Sequence, residues 1–320
     1  MQSTFLPLAA RICQLTGFMG LCSHAYGGLG LILMFHRFTN EPDKRIDRGG
    51  MVSGKFLDKL IGYIRNSGLE IIRLNHIAQA IAENRKFVCL TIDDGYRDNS
   101  EIALPVLQRH NAPATIFIPS LAISRSLDSW WLQIEELSKE KTNPPAAYAK
   151  MISAAERDPE VLEYLRSRFL FSYEEINERY FMSAAEIIKI ASDPLIEIGG
   201  HTLSHPLLAN LNEKEALREI RKNKEDIEDL LQCDVNAFAY PFGNSKACGS
   251  REFNLAFQAG YKIGVTTRDG NIFTEHIEHL TALPRYSIRG HLEDCSIFEM
   301  QKTGTYRALR SRLGPAFVTN

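Results

Sequence analysis

Short apolar runs recur along this chain, and most of them show no polar alternation. They are Leu29–Phe35, Glu70–Arg73, Phe87–Ile92, Ala114–Pro119, Ile196–Gly199, Ala237–Tyr240, Ile263–Thr266 and Arg285–Ile288. A strand with one face in water alternates, whereas a strand covered on both faces reads as continuously apolar. The pattern therefore predicts a parallel sheet wrapped by helices. The helical periods lie between the runs. Ser53–Ser67 puts Phe56, Leu57, Leu60, Ile61 and Ile64 on one stripe. Asn99–His110 repeats the pattern. Asn212–Leu231 opens on Asn212 with Glu215 three residues on, a capping box. Glu252–Ala259 is a shorter helix stopped by Gly260. This alternation predicts an α/β fold, and eight strands favour a barrel-like closed sheet over an open one. Residues 124–194 break the rhythm. They are helical and charged, with Trp130-Trp131 near the start and Pro144-Pro145 inside, and they read as a helical insertion.

Composition narrows the function classes. Apolar residues are 44% and charged residues 24% of 320, as expected of a soluble globular chain. Lys and Arg total 37 against 39 Asp and Glu, a net charge of -2. There is no basic footprint for a nucleic-acid partner. The six cysteines form no C-x-x-C pair and read as separate thiols in a reducing compartment. From Ile12 to His36 there is no Asp, Glu, Lys or Arg, but Gln14, Thr16, His24 and five glycines interrupt the stretch. It reads as an amphipathic helix over residues 2–23, docked on the domain or in peripheral contact with a membrane. The expected location is cytoplasmic or peripheral to the membrane. A secretory leader fits less well, because cleavage after Ser23-His24-Ala25 leaves a strand almost at the new terminus.

Three strand ends carry chemistry. Phe87–Ile92 runs into Asp93-Asp94-Gly95. Adjacent carboxylates share a site only where a strand stops, and Gly95 permits the sharp exit. In α/β folds such C-terminal strand ends hold active sites. Two carboxylates together need a cation, and a metal would hold one and leave the other as a base. A helix cap followed by a solvated turn is the ordinary alternative. The second end is His201-Thr202-Leu203-Ser204-His205, after Ile196–Gly199. Two imidazoles at i, i+4 and one carboxylate make a catalytic zinc-type ligand set with open positions. One capping and one surface histidine would also explain the pair. The third end is Phe238-Ala239-Tyr240-Pro241-Phe242-Gly243, whose Pro and Gly fix a tight turn. His36 ends the first strand, and Arg285 sits in Leu283-Pro284-Arg285-Tyr286. A rival pair, His276 and His279, lies in a charged run after no strand and reads as a solvated face.

In combination these residues resemble the polysaccharide deacetylase family with the NodB homology domain, carbohydrate esterase family 4. Thr91–Gly95 resembles its T-F-D-D-G motif, with Ile92 in place of Phe. His201–His205 resembles its H-S/T-x-x-H motif, and Phe238–Gly243 resembles the F-A-Y-P-Y-G variant of its third motif. The resemblance covers roughly residues 29–290. It implies a distorted (β/α) barrel of the NodB-homology type that carries the helical insertion at about 124–194. Residues 1–28 are then an N-terminal helical segment and 291–320 a C-terminal helical tail.

The resemblance also implies metal-dependent removal of acetyl groups from N-acetylated sugars of a polysaccharide or oligosaccharide. Asp94, His201 and His205 would hold a divalent metal ion, zinc by the family's habit. Asp93 would be the base, and the Phe242 N–H would help form an oxyanion hole. Tyr240 and Trp131 are candidate substrate-binding aromatics. Two departures stand out. Ala239 occupies the place where the third motif often carries an arginine, and no Leu-x-His is visible near Leu283. Some relatives take their acid from a histidine on an N-terminal strand, which makes His36 the candidate acid and Arg285 the candidate orienter of the base. The departures keep two other readings open: a hydrolase of another acyl group or a non-sugar amide, and a catalytically silent glycan-binding homologue. No G-x-S-x-G, Walker A or dinucleotide fingerprint is present.

Overall fold

The computed structural model describes residues 2–40, 50–140, 150–152, 154–155 and 158–319. Ten strands occur among them: β1 (Gly30–Phe35), β2 (Arg37–Thr39), β3 (Met51–Ser53), β4 (Glu70–Ile71), β5 (Phe87–Ile92), β6 (Ala114–Ile118), β7 (Ile196–Gly200), β8 (Ala237–Ala239), β9 (Ile263–Val265) and β10 (Tyr286–Ser287). Eight form one sheet in the order β10-β1-β5-β6-β7-β8-β9, with β4 beside the start of β5. All of its strand pairs are parallel. The sheet curls until its two edges meet at one parallel bridge, Val265 with Leu283. β2 and β3 form a separate parallel pair.

Side-chain parity divides the core in two. Leu31, Leu33 and Phe35 of β1 and Val88, Leu90 and Ile92 of β5 join the layer between sheet and helices, with Phe238 and Tyr240. Ile32, Phe87, Cys89, Phe117, Ala237, Ala239 and Val265 fill the inside of the curl. Every residue of β1, β5 and β6 is buried, which accounts for their unbroken apolar sequence. The outer layer is closed by helices such as Gly54–Asn66, which buries Phe56, Leu57, Leu60, Ile61 and Ile64. Helix Glu213–Leu231 starts at the reciprocal Asn212/Glu215 capping box.

Three details differ from the sequence-based expectation. The N-terminal stretch is two helices, Gln2–Leu15 and Phe18–Tyr26, because Gly17 between them takes a φ of 72°. They pack on the C-terminal helices through Ala10, Met19 and Met300, while Leu8, Ile12 and Leu15 stay exposed. Among the described residues no helix is long and apolar enough to cross a membrane. The 99–110 segment opens as a wide π turn, Asn99–Ala103, before regular helix Leu104–Arg109, whose Pro105 has no N–H for the preceding turn.

The third difference is His276, which is fully buried rather than solvated. Its Nδ1 accepts from the Phe273 N–H (2.9 Å) and its Nε2 lies 3.0 Å from the Val318 carbonyl. A carbonyl only accepts, so the neutral Nε2–H tautomer satisfies both contacts and pins the C-terminal tail.

The irregular region contains helices Trp130–Glu140, Pro159–Arg166, Tyr173–Tyr180 and Ala184–Ala191. Pro144-Pro145 lies outside the described residues. Leu127, Leu132, Ile176 and Phe181 form a local core with Tyr96. Met182 N–H donates to the Gly95 carbonyl (3.1 Å), so this region is latched onto the turn after β5.

Burial holds the His276 pKa below its ordinary value, against the raising effect of its bond to Val318. The unfolded chain takes up that proton near pH 6.5, and the folded chain only at lower pH. This contribution to stability is therefore complete above about pH 6.5 and declines as pH falls below it. Urea denaturation at pH 7.5 and 5.5 is expected to show a smaller pH-dependent loss in His276→Gln than in the unchanged chain. An equal loss in both proteins excludes this account.

Candidate active site

β5 delivers both carboxylates. Phe87, Cys89 and Thr91 face the inside of the curl, and Asp93 continues the same parity. Asp94 then takes a φ of 77° and Gly95 one of 70°, so the chain turns sharply and both carboxylates stay buried. Left-handed backbone at a non-glycine residue is uncommon and clusters at functional sites.

Arg285 meets Asp93 from the other edge of the sheet. Leu283 and Arg285, two residues apart just before β10, both point inward. The Arg285 guanidinium is 0% exposed. Nη1 and Nη2 donate to Asp93 Oδ1 (2.7 Å) and Oδ2 (2.8 Å). Nε donates to the Thr266 carbonyl (2.8 Å), and Nη1 also reaches Thr91 Oγ1 (3.1 Å). Burial alone would raise the Asp93 pKa, but Arg285, together with His201 and His36, outweighs it and holds the carboxyl below its ordinary value. The fork fixes the carboxylate plane and leaves further lone pairs on each oxygen.

The histidines come from the loop after β7. Thr202 and His205 have φ values of 65° and 58°. Such a loop needs anchoring: Asn223 Oδ1 accepts from the His201 N–H (2.9 Å), and Glu219 accepts from Ser204 N–H (2.8 Å) and Oγ (2.9 Å). Both anchors lie on helix Glu213–Leu231. His201 Nε2 lies 3.4 Å and His205 Nε2 3.5 Å from the same Asp94 oxygen. One ligand atom from each of the three residues lies within 4.8 Å of the others.

The donor set fits a cation. His201 Nδ1 lies 2.7 Å from the Ala239 carbonyl and must carry a proton to bond there. Neutral His201 then turns its Nε2 lone pair toward the Asp94 carboxylate, and two acceptors face one another with a positive charge required between them. A proton can supply it: despite burial, which lowers it, the His201 pKa is raised by its bond to Asp94 and by the Asp93 charge. Asp94 is held low by the same contact despite its burial. Burial and His201 push His205 down to about 4, so it is neutral and available as a ligand at pH 7. A divalent ion answers all three groups.

These groups line an open cleft of about 1320 Å³, together with His36 and Phe242. The His36 Nδ1 is buried and has no hydrogen-bond partner among the described residues. Phe242 has a φ of 61°, and its carbonyl accepts from Thr267 Oγ1 (2.6 Å), which fixes the turn. The Trp131 ring lines the cleft 5.1 Å from the His205 ring, and its Nε1–H donates to Tyr96 Oη (2.9 Å). Tyr240 requires a correction. It is not on the cleft but fully buried, with its ring against Phe238 and Phe253 and its hydroxyl on the Thr281 carbonyl (2.8 Å). Parity explains this: Ala239 faces inward, so Tyr240 faces the helices and cannot bind substrate.

The cleft residues that sequence reasoning did not single out include Arg37, Glu135 and His291. His291 follows β10, so the strand-end rule that found the aspartates could have flagged it. Glu135 carries no signal of its own inside the charged insertion.

A family profile described as polysaccharide deacetylase matches residues 80–264. The chain belongs to the polysaccharide deacetylase family. A Bacillus subtilis (strain 168) protein named "Putative polysaccharide deacetylase YxkH" is 20% identical over 243 residues. That alignment takes in 75% of this chain and 64% of the relative, so the chain spans less than two thirds of that relative's length. Among solved structures, the Streptococcus pyogenes deacetylase PplD in complex with acetate superposes with a TM-score of 0.59 at 19% identity, over 85% of this chain and 96% of that one. A de-N-acetylase from Aggregatibacter actinomycetemcomitans gives 0.60 at 13% identity, over 84% and 98%. At these identities the likeness establishes the fold, a NodB-type (β/α) barrel.

The buried ion pair makes a stability prediction. Arg285→Met leaves Asp93 charged and unpaired and is expected to cost about 3–5 kcal/mol. Adding Asp93→Asn removes the stranded charge and is expected to restore more than half of that loss. Chemical denaturation of the single and double variants measures both, and additive losses would exclude a coupled pair.

Proposed function

We propose that the chain is a metal-dependent hydrolase that removes acetyl groups from N-acetylated sugars of a polysaccharide or oligosaccharide. The observation that carries this reading is the convergence of Asp94, His201 and His205 on one point beside an Asp93 already held by Arg285. Family membership supports the substrate class. The open cleft, with Trp131 on its wall, suits a sugar chain.

Asp94, His201 and His205 would hold a divalent cation, which would supply Lewis-acid polarisation of an acyl carbonyl and make water at the site a stronger acid. Asp93 accepts a proton from the attacking water. Its low pKa keeps it ionised and ready at neutral pH, and the Arg285 fork stops it from rotating away. The carbonyl carbon then becomes tetrahedral, and the Phe242 N–H is the main-chain donor assigned to the developing oxyanion. His36 gives a proton to the leaving nitrogen, the C–N bond breaks, and acetate and a free amine leave. Arg285 thus takes the orienting role that Ala239 cannot fill.

Metal analysis of the purified chain, followed by acetate release from chito-oligosaccharides with and without chelator, tests this reading. The expected result is about one equivalent of divalent metal and activity abolished by chelation. Asp93→Asn is expected to keep the metal and lose about 10²–10⁴-fold in turnover. Activity that survives both chelation and Asp93→Asn refutes the mechanism. Release of formate from N-formylated sugars in preference to acetate would reassign the acyl group.

A further inference from the structure

Resting on the assignment of His36 as the acid, we propose that Arg37 is a positioning residue: it ties the helical insertion to His36 and so sets where the acid stands. His36 needs such help, because its buried Nδ1 has no hydrogen-bond partner among the described residues. The imidazole is therefore placed through its backbone and its neighbours. Asn99 Nδ2 donates to the His36 carbonyl (2.9 Å) and to Asp98 Oδ1 (3.0 Å). The same Asp98 oxygen accepts from the Phe38 N–H (3.1 Å), and Oδ2 accepts from Arg37 Nε (3.2 Å). Residues 36 to 38 are thus held from one side by a single Asp-Asn pair.

Arg37 reaches the insertion on its other side. Its Nη1 donates to both Glu135 oxygens, at 3.0 and 3.1 Å, and Glu135 is 2% exposed. The guanidinium carbon lies 5.1 Å from the Tyr96 ring centre and 4.8 Å from that of Tyr180. The Tyr180 hydroxyl lies between Glu135 (3.1 Å) and Glu136 and can donate to either. Tyr96 directly follows the Asp93-Asp94-Gly95 turn, stacks on Phe181 at 5.0 Å and accepts the Trp131 N–H. The planar cation reaches two carboxylates through different nitrogens and packs against two rings in a mostly buried setting, an arrangement that a lysine's single nitrogen could not reproduce. Displacing it moves the residue beside it in the chain, and a misplacement of about 1 Å at a reacting group costs on the order of 10²-fold.

An acid matters only when the leaving group needs a proton. Arg37→Met is therefore expected to lower kcat on N-acetylated chito-oligosaccharides about 10²-fold, with KM little changed. Hydrolysis of 4-nitrophenyl acetate, whose leaving group departs unprotonated, should change by less than about 3-fold, since only the acid's position is disturbed. His36→Gln should show the same selectivity, while Arg37→Lys and Glu135→Gln should fall between it and the unchanged chain. Equal losses on both substrates, or a raised KM at constant kcat, overturn the proposal. A second readout does not depend on turnover. The nitrogen-15 ring signals of His36, identified by their loss in His36→Gln, should move in Arg37→Met and partly return in Arg37→Lys. Unmoved signals overturn the proposal in any case. A chain that moves these signals yet releases no acetate from sugars refutes the substrate reading instead.

Discussion

Two carboxylates side by side at the end of a buried strand are an electrostatic liability, and the site is built around its resolution. Asp93 is neutralised by a guanidinium that water does not reach, and Asp94 by the positive charge it shares with His201, with neutral His205 beside it. Each aspartate has its own counter-charge, so neither must protonate to stay inside. The division also separates their chemistry. One carboxylate is spent on the cation position, and the other is held still with lone pairs to spare.

The fold supplies this arrangement through direction and parity. Parallel strands bring their C-terminal ends to one rim, so groups far apart in the chain share a cleft. Alternation then decides which of them look inward. Cys89, Thr91 and Asp93 do so on β5, Ala239 at the end of β8, and Leu283 and Arg285 before β10. Ala239 is instructive. It stands where the family often has an arginine, yet its carbonyl fixes the His201 tautomer. The missing cation arrives from a strand on the other edge instead.

Much of this was legible in the sequence. The eight apolar runs became the eight strands of the main sheet, because burial on both faces leaves a plain signature. Asp93-Asp94-Gly95 and His201–His205 were legible because short spacing limits where their side chains can go. Arg285 stood out at a strand start as a possible partner for a site carboxylate, the resemblance made it the candidate orienter, and parity along Leu283-Pro284-Arg285 points the same way. Tyr240 was misread because motif membership was taken before parity. His276 was misread because a charged neighbourhood hid its contact with Val318, which lies 42 positions away. Glu135 could not be found at all, since nothing local marks a carboxylate whose partner is Arg37.

Asp93 and Arg285 are separated by 192 positions. Ribosomal synthesis runs from the amino end, so the aspartate exists long before its guanidinium. Until the closing edge of the sheet is made, that carboxylate has no fixed counter-charge and cannot be stably enclosed. The enclosed carboxylate–guanidinium pair can therefore form only once residue 285 has been made, so the site is assembled late relative to the strand that carries its aspartates.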